Sequence, residues 1–174
     1  MMAAHGPRTV AAILVAAGSG ERLGSDRPKA FVEVAGRSLL EHATGRFAAH
    51  PAVDEVIVVA PAAYVEQAQR LTGVLVVSGG ATRQESVAAG LAALGEHVQT
   101  VLVHDVARPF VPDAVITAVI EAVAGGAVGA VPVMPIHDTV RRIDVDGALV
   151  ELLDRATMVA VQTPQGFDRA VLDA

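Results

Sequence analysis

The chain has 174 residues, of which 52% are hydrophobic and 18% are charged, which is typical of one globular domain that buries about 70% of its unfolded surface. The formal net charge of -6 and the aromatic content of 3% argue against nucleic acid as a partner, because phosphates attract cations and unpaired bases stack on aromatic rings. With 0 cysteines there is no disulfide framework. No apolar run approaches the ~20 residues of a membrane span, so we expect a cytoplasmic protein.

The first predicted element is a buried strand from Val10 to Val15, because this unbroken apolar run leads directly into a loop of small residues. In that loop, Ala16, Ala17 and Gly18 would let backbone N–H groups approach a ligand closely. The glycine spacing, G-x-G-x-x-x-G, is longer than the dinucleotide fingerprint, and no Gly-Lys-Ser/Thr of a P-loop follows. The loop therefore suits a phosphate-sized ligand without matching either standard signature.

Two cations, Arg22 and Lys29, follow this loop, and Lys29 is the only lysine of the chain. An ammonium group is a compact point charge whereas a guanidinium is a planar fork, so the two side chains hold anions in different ways. A strand, a loop of small residues, an arginine and a lysine in this order predict a nucleoside triphosphate site. The alternative is a tight turn with two solvated cations.

Strand and helix patterns then alternate along the chain. Ser38 marks one helix start, and a possible capping box of Thr82 with Glu85 marks another. Strands are predicted at 53–60, 74–77, 100–104 and 128–133, and helices at 38–50, 62–71, 82–94 and 112–123. This alternation predicts an α/β fold with a mostly parallel, Rossmann-like sheet between two helical layers (α/β/α). Ligands of such sheets bind at the carboxyl ends of the strands.

A β-hairpin arm is predicted at about 136–156, beyond the parallel part of the sheet. Its strands are Thr139 to Ile143 and Ala148 to Leu152, and the Asp146-Gly147 pair between them is a strong hairpin signal. A hairpin that projects from a sheet buries little surface of its own. We therefore expect it to rest against another subunit in a homodimer, while the alternative is an edge hairpin folded back on its own domain.

Polar side chains follow the predicted strand at 100–104. Asp105 could hold Mg²⁺, because that ion typically takes one or two carboxylates together with substrate phosphate oxygens. Arg108 could grip a phosphate in bidentate fashion. The alternative is a surface ion pair between Asp105 and Arg108, which would indicate no function. A later segment, Thr163-Pro164-Gln165, is by itself only a weak turn signal.

Several motifs occur in one order along the chain, from Val10 to about Phe167. They are A-A-G-S-G-E-R-L-G, R-P-K, G-G-A-T-R-Q-E-S-V, L-V-H-D-V-A-R-P, an Asp-Thr, an Asp-Arg and Q-T-P-Q-G-F. Together they resemble the 2-C-methyl-D-erythritol 4-phosphate cytidylyltransferase family. The resemblance implies an enzyme that joins CTP and methylerythritol phosphate into a CDP-alcohol, releases pyrophosphate, uses Mg²⁺ and forms a homodimer through the arm.

The resemblance also implies roles for individual residues. Arg22 and Lys29 would hold the triphosphate and stabilise charge at the α-phosphorus. The nucleotide would contact Ala16, Ala17, Gly18, Gly80, Arg83 and Ser86. The polyol phosphate would contact Asp105, Arg108, Thr139, Arg155 and Thr163, with Asp105 also facing the metal and with Thr139 and Arg155 supplied by the partner. None of the 6 histidines is given a role, because the attacking phosphate is already an anion.

Three other functions stay open at this point. A ribitol 5-phosphate cytidylyltransferase would share much of the motif set. A sugar-phosphate or molybdenum-cofactor nucleotidyltransferase would share the first loop but not the G-G-x-x-R-x-x-S-V and T-P-Q motifs. A catalytically silent nucleotide-binding module is the third. It gains weight because members of the resembled family carry a further lysine past the position of Ala174, so we expect the domain at residues 1–174 to be cut short.

Overall fold

A computed structural model describes residues 9–17 and 28–173 of the chain. The described strands are β1 (Val10–Val15), β2 (Glu33–Val34), β3 (Arg37–Ser38), β4 (Glu55–Ala60), β5 (Leu75–Ser78), β6 (Thr100–Asp105), β7 (Gly129–Ala130), β8 (Val133–Pro135), β9 (Arg141–Ile143), β10 (Leu149–Leu152), β11 (Val159–Val161) and β12 (Gln165–Asp168). The described α-helices are α1 (Leu39–Ala48), α2 (Val65–Thr72), α3 (Arg83–Ala92), α4 (Asp113–Ala124) and α5 (Arg169–Leu172). Short 3₁₀ helices lie at Lys29–Phe31, Ala62–Tyr64 and Arg155–Thr157.

The central sheet has 6 strands in the order β5-β4-β1-β6-β12-β7. Strand β1 pairs in parallel with β4 and with β6, and β4 pairs in parallel with β5. Strand β12 runs antiparallel to both β6 and β7. From β1 the chain moves outward to β4 and β5 and then returns to β6 on the other side, so β1 and β6 flank a topological switch point. The predicted mostly parallel α/β fold is confirmed.

Helices cover both faces of the sheet. Successive side chains of a strand point to opposite faces, so each strand contributes to two clusters of buried residues. Ala12 and Leu14 of β1 belong to a core cluster that also contains buried residues of α1, α2 and α4. Ala11 and Ile13 belong to a second cluster, on the opposite face, with Leu91 of α3. The predicted three-layer arrangement is therefore present, and the buried sheet fixes the positions at which its strands end.

Capping boxes begin two of the described helices. The sequence predicted the box of Thr82 with Glu85, whereas at Ser38 it predicted only a helix start. In α1, Ser38 Oγ accepts from the N–H of Glu41 at 3.2 Å, and Glu41 Oε2 accepts from the N–H of Ser38 at 2.9 Å. The Ser38 hydroxyl also donates to Glu41 Oε2 at 2.7 Å, and this bond together with the one from the Ser38 N–H lowers the pKa of Glu41. In α3, Thr82 and Glu85 form the same reciprocal pair. The start of α3 is thereby fixed just after the loop that follows β5.

The predicted strand at 128–133 is wrong in extent. The strand β7 covers only Gly129–Ala130, and a separate strand, β8, begins at Val133, after Pro132. Proline has no N–H to give to a ladder, and the carbonyl of Pro132 instead accepts from Gln162 N at 2.8 Å. The place beside β6 is taken by β12, which the sequence did not reveal. Its sequence, Q-G-F-D, contains no apolar run, and a Cβ at Gly166 would lie 2.5 Å from Val119 of α4.

The predicted hairpin forms as β9 and β10, which pair with each other in a sheet of their own. Asp144 Oδ1 organises the turn by accepting from the N–H groups of Asp146 at 3.0 Å and Ala148 at 2.8 Å. Gly147 has a φ of +84°, in the region that favours glycine. Every residue of β9 and β10 is exposed, so the hairpin does not fold back onto its own sheet.

A second short ladder, between β8 and β11, forms the base of this arm and was not predicted. Within the described part of the chain, no helix is both long enough and apolar enough to cross a membrane.

Candidate active site at the switch point of the sheet

The backbone that follows β1 is held between its two neighbouring strands. Val15 is the register partner of Asp105, and Val106 N donates to Val15 O at 3.1 Å. On the other side, Ala16 N donates to Val59 O at 2.8 Å. Ala16 and Ala17 therefore begin the loop of small residues directly beside the end of β6, at the place where parallel α/β sheets bind their ligands.

A glycine packs this loop against α3. A Cβ at Gly79 would lie 2.8 Å from both Ala17 Cβ and Ser86 Oγ, a distance that real Cβ atoms do not show. Gly79 N also donates to Ala60 O at 2.8 Å, which fixes its backbone at the end of β4. Ser86 is buried and its hydroxyl donates to the carbonyl of Thr82 at 2.9 Å. The structure thus gathers Ala17 and Ser86 at one junction, with Gly80 next to it in the chain.

Asp105 is paired with Arg83 rather than with Arg108. Arg83 Nε donates to Asp105 Oδ1 at 3.1 Å, and Arg83 Nη2 donates to Gln165 Oε1 at 3.4 Å. Both members of the ion pair are partly exposed, and such pairs are worth only ~0–1 kcal/mol. A bound anion or cation could therefore take over either partner at little cost. The predicted alternative, an Asp105–Arg108 ion pair, is not what the structure shows.

Arg108 lies at the end of a tight turn after β6. Its N–H donates to Asp105 O at 2.9 Å, and its guanidinium donates through Nη1 to Gln162 Oε1. The residue itself is exposed. Gln162 thus fixes one edge of the guanidinium, and the remaining N–H donors of this planar group can reach an anion.

His104 is fully buried and connects the two segments that carry Arg108 and Thr163. Its Nε2 lies 3.0 Å from Arg108 O and its Nδ1 lies 2.9 Å from Thr163 Oγ1. A carbonyl oxygen can only accept, so Nε2 carries the proton and Nδ1 accepts from the Thr163 hydroxyl. Thr163 Oγ1 in turn accepts from Asp105 N at 3.3 Å. Burial lowers the pKa of His104 to about 4, against the opposing effects of the Arg108 backbone and the Asp105 charge, which keeps the ring neutral.

Three residues that the sequence analysis passed over therefore belong to this group: His104, Gln162 and Gln165. Only His104 left a usable signal. It is a polar residue in an otherwise apolar, buried strand, and buried polar groups almost always have partners. The two glutamines stand in the Q-T-P-Q-G-F motif of the family resemblance, but no local rule predicts which partners they bond.

The other predicted residues either make no hydrogen bond to this group among the described residues or fall outside the described residues. Lys29 is exposed, and its ammonium makes no hydrogen bond or ion pair with the residues that the structure describes. Thr139 and Arg155 are exposed residues of the arm, and Arg155 donates through Nη1 to the carbonyl of His137. Gly18 and Arg22 fall outside the described residues. Within one chain, no hydrogen bond among described residues joins the arm pair to Asp105.

The group suits a metal ion that is shared with a phosphate. Over residues 9–17 and 28–173, no cluster of three or more acidic or histidine side chains could hold a metal on its own. Asp105 supplies one carboxylate, held at the edge of the sheet by its strand. One carboxylate together with phosphate oxygens is a usual ligand set of Mg²⁺, so the residues present fit such an ion.

A mostly parallel sheet between two helical layers, with small residues and exposed polar side chains gathered at its switch point, defines an α/β protein of the class that binds ligands at that point. The family model for IspD, 2-C-methyl-D-erythritol 4-phosphate cytidylyltransferase, matches residues 10–174. The chain belongs to this family.

Individual relatives agree with the family assignment. The bifunctional enzyme IspD/IspF of Clavibacter michiganensis subsp. michiganensis is 46% identical over an alignment that covers 99% of this chain and 44% of that protein. The 2-C-methyl-D-erythritol 4-phosphate cytidylyltransferase of Frankia casuarinae is 44% identical over 95% of this chain and 63% of its own length. The chain therefore spans less than two thirds of both relatives.

A solved structure shows the same fold. The crystal structure of 2-C-methyl-D-erythritol 4-phosphate cytidylyltransferase from Thermus thermophilus matches with a TM-score of 0.78 and 39% identity, over 95% of this chain and 73% of that one.

Proposed function

We propose that the protein transfers a cytidylyl group from CTP to 2-C-methyl-D-erythritol 4-phosphate, giving a CDP-alcohol and pyrophosphate. The observation that carries this proposal is the convergence of Arg83, Asp105, Arg108 and Thr163 beside Ala16 and Ala17 at the switch point. Family membership supports the choice of substrates. The cytoplasmic location expected from the sequence stays a prediction.

The reaction depends on positioning of the reactants and on charge stabilisation more than on acid–base chemistry. An oxygen of the polyol phosphate attacks the α-phosphorus of CTP in line with the bond to the β-phosphate. The new P–O bond forms as that bond breaks, and pyrophosphate leaves with the electron pair. The nucleophile is already an anion, so no proton has to be removed. The protein therefore contributes by holding the reactants and balancing negative charge.

The nucleotide would lie along the junction around Gly79. The exposed backbone at Gly80 and the start of the loop at Ala16 and Ala17 offer close approach without side chains. The Ser86 hydroxyl already donates to a carbonyl, so it can accept a hydrogen bond from the nucleotide but cannot donate one. Arg83 would turn from Asp105 towards phosphate. The roles of Gly18, Arg22 and Lys29 on the triphosphate stay predictions.

A divalent cation, Mg²⁺ in this proposal, would be held by Asp105 together with phosphate oxygens of the substrates and would supply neutralisation of their charge. The described residues offer no complete metal cage, so we expect the ion to bind with the nucleotide rather than before it. Arg83 leaves Asp105 in the same event. Calorimetry with Mg²⁺ alone and with CTP present would measure this order.

The polyol phosphate would bind between Arg108 of one subunit and the arm of another. The arm carries Thr139 and Arg155 and exposes large apolar side chains, with Ile143 60% exposed, Leu149 63% and Leu152 66%. Burying apolar surface is worth about 25 cal/mol per Å², so a second copy of the chain would stabilise this arm. Homodimer formation is therefore part of the proposal.

The deciding assay measures pyrophosphate release from CTP with two acceptors, methylerythritol 4-phosphate and ribitol 5-phosphate. The proposal expects release with the first at a much higher kcat/KM than with the second. A preference for ribitol 5-phosphate would show that this compound, and not methylerythritol 4-phosphate, is the acceptor. Binding of CTP without release from either acceptor would indicate a nucleotide-binding module instead.

A further inference from the structure

His104 differs from the other groups of the site because it touches no surface that a substrate could reach. Its side chain is fully buried, and its ring packs against Phe47 with a centroid distance of 4.7 Å. Both ring nitrogens are used, at 3.0 Å to Arg108 O and 2.9 Å to Thr163 Oγ1. A ring with both nitrogens bonded and both faces enclosed has one orientation, so it can transmit that orientation to its partners.

The partners of His104 all belong to the proposed acceptor site. The carbonyl of Arg108 accepts from His104 Nε2, and its N–H donates to the carbonyl of Asp105. Both backbone polar groups of Arg108 are therefore hydrogen-bonded. Thr163 is bonded by Nδ1 and by Asp105 N. Arg108 follows β6 and Thr163 precedes β12, and the pairing of these two strands begins only at Gln165 with Val103. Beyond the ladder, the His104 ring bridges the two segments from inside the core, in addition to the Asp105 N–Thr163 Oγ1 and Arg108–Gln162 hydrogen bonds.

A second buried histidine shows what a purely structural role looks like. His50 is 4% exposed and bonds a threonine too, with Nε2 at 3.1 Å from Thr117 Oγ1. Its Nδ1 accepts from Ala52 N at 3.2 Å. None of these partners is among the residues proposed to meet substrate. His50 is therefore a matched control for burial, chemistry and partner type.

We propose that His104 is a positioning residue that fixes Arg108 and Thr163 at the mutual spacing needed to bind the polyol phosphate. The inference rests on the proposed function. Because the Thr163 hydroxyl gives its only proton to the ring, its oxygen can accept from a hydroxyl of the polyol but cannot donate to the phosphate. His104 thereby holds the Arg108 backbone, while Gln162 holds the guanidinium, and it determines which kind of hydrogen bond Thr163 offers.

The test compares His104→Leu with His50→Leu and measures KM for CTP and for methylerythritol 4-phosphate separately. Losing the ring bonds frees the Arg108 turn and the Thr163 hydroxyl, so we expect KM for the polyol phosphate to rise about tenfold, the size expected for a lost buried hydrogen bond. KM for CTP should stay unchanged, and His50→Leu should change neither constant. A role confined to stability would lower the yield of folded protein without separating the two constants.

Graded variants cover the case in which His104→Leu does not fold. His104→Asn keeps an acceptor near Thr163, and His104→Gln keeps a donor near Arg108 O, so each should raise KM for the polyol phosphate less than His104→Leu. The double variant His104→Leu/Thr163→Val should raise this KM by less than the product of the single effects, because the two residues act through one bond. Thr163→Ser keeps the hydroxyl and should restore most of the affinity that Thr163→Val loses.

The outcomes separate this inference from the proposed function. An active unsubstituted protein whose His104 variants keep the original KM for the polyol phosphate would overturn the positioning role alone. Equal increases in both constants, or the same change in His50→Leu, would also overturn it. No pyrophosphate release from the unsubstituted protein would contradict the proposed function, and the inference with it.

Discussion

At the end of β6, the Asp105 carboxylate pairs with Arg83, although the proposed reaction assigns both side chains to other partners. Asp105 is engaged by Arg83 at 3.1 Å, while the proposed reaction needs the carboxylate near a metal ion and the guanidinium near phosphate. A partly exposed ion pair contributes ~0–1 kcal/mol, which a triphosphate and a divalent cation together can readily exceed. The resting contact therefore keeps both groups in place without blocking them.

Lys29 is the cation whose loss we expect to cost most. In the proposed reaction its ammonium balances charge that develops at the α-phosphorus, and removing one such contact typically lowers turnover about 10²–10³-fold. Lys29→Ala should lower kcat by that amount, and Lys29→Arg should recover little, because a planar fork does not replace a point charge. Arg70→Ala, which removes an exposed cation of α2 paired with Glu66, is the control. Near-normal kcat in folded Lys29→Ala would remove the residue from the mechanism.

His104 should also make the stability of the metal-free protein depend on pH. Its pKa is lowered by burial from 6.5 to about 4, with Asp105 and Arg108 as the charged neighbours. The unfolded chain then binds more protons than the folded one between these values. The contribution of His104 to the free energy of unfolding is fully present above pH 6.5. It is lost as the pH falls towards 4, by up to ~3 kcal/mol. The loss should be absent from His104→Leu when urea unfolding is compared at pH 7 and 4.5, and an equal loss in both proteins would refute it.

At the scale of elements, the loop after β1 and helix α3 are joined through the glycine at the end of β5. Gly79 leaves no space for a methyl group between Ala17 and Ser86. The two segments proposed to surround the nucleotide therefore depend on one small residue for their approach.

Gly79→Ala should separate these segments and destabilise the fold by about 1–3 kcal/mol, the usual cost of overpacking, with a rise in KM for CTP. Gly45→Ala in α1 is the matched control, since its new methyl group would meet only the end of Arg37 at 3.4 Å. That control should gain about 0.5–1 kcal/mol from helix propensity. Urea unfolding measures the free energies of unfolding. An unchanged value for Gly79→Ala would show that the junction between Ala17 and Ser86 has space for a methyl group.

The elements with a strong local signal could be predicted and the others could not. The helix cap at Ser38, the capping box at Thr82, the apolar run of β1 and the Asp146-Gly147 turn each express a local rule, and all of them formed. Strand β12 has no such signal, because its residues are fixed by β6, β7 and α4, which are distant in the chain. The same limit applies to the site. The carboxylate at Asp105 could be placed from its position at a strand end, but its pairing with Arg83 and the hydrogen bond of His104 to Thr163 arise from long-range packing.

At the scale of the whole molecule, the arm is the part that a single chain leaves incomplete. Strands β9 and β10 expose every residue, and Arg142 and Glu151 pair across them at 2.8 Å. Among the described residues, the two strands therefore pair with each other and are not covered by the rest of the chain. In the proposed dimer, each acceptor site combines the sheet of one subunit with the arm of the other.

Subunit mixing tests this sharing. Arg22→Ala impairs the sheet side of a site and Arg155→Ala impairs the arm side, so a mixed dimer contains one site without either change. We expect two weakly active variants to regain a measurable part of the original kcat after subunit exchange. Mixing Thr139→Ala with Arg155→Ala should regain nothing, because both changes lie on the arm. No recovery in the first mixture, despite exchange, would place all of these residues in one chain's site or outside the site.

The most direct measurement of the central claim is pyrophosphate release from CTP and methylerythritol 4-phosphate by the unsubstituted protein and by Arg108→Ala, with Arg70→Ala beside them. A site at the switch point predicts steady release by the unsubstituted protein and by Arg70→Ala, in equal amount to the CDP-alcohol formed. It predicts a large loss of kcat/KM for the acceptor in folded Arg108→Ala. Undiminished release by Arg108→Ala would show that the acceptor binds elsewhere and would contradict the account.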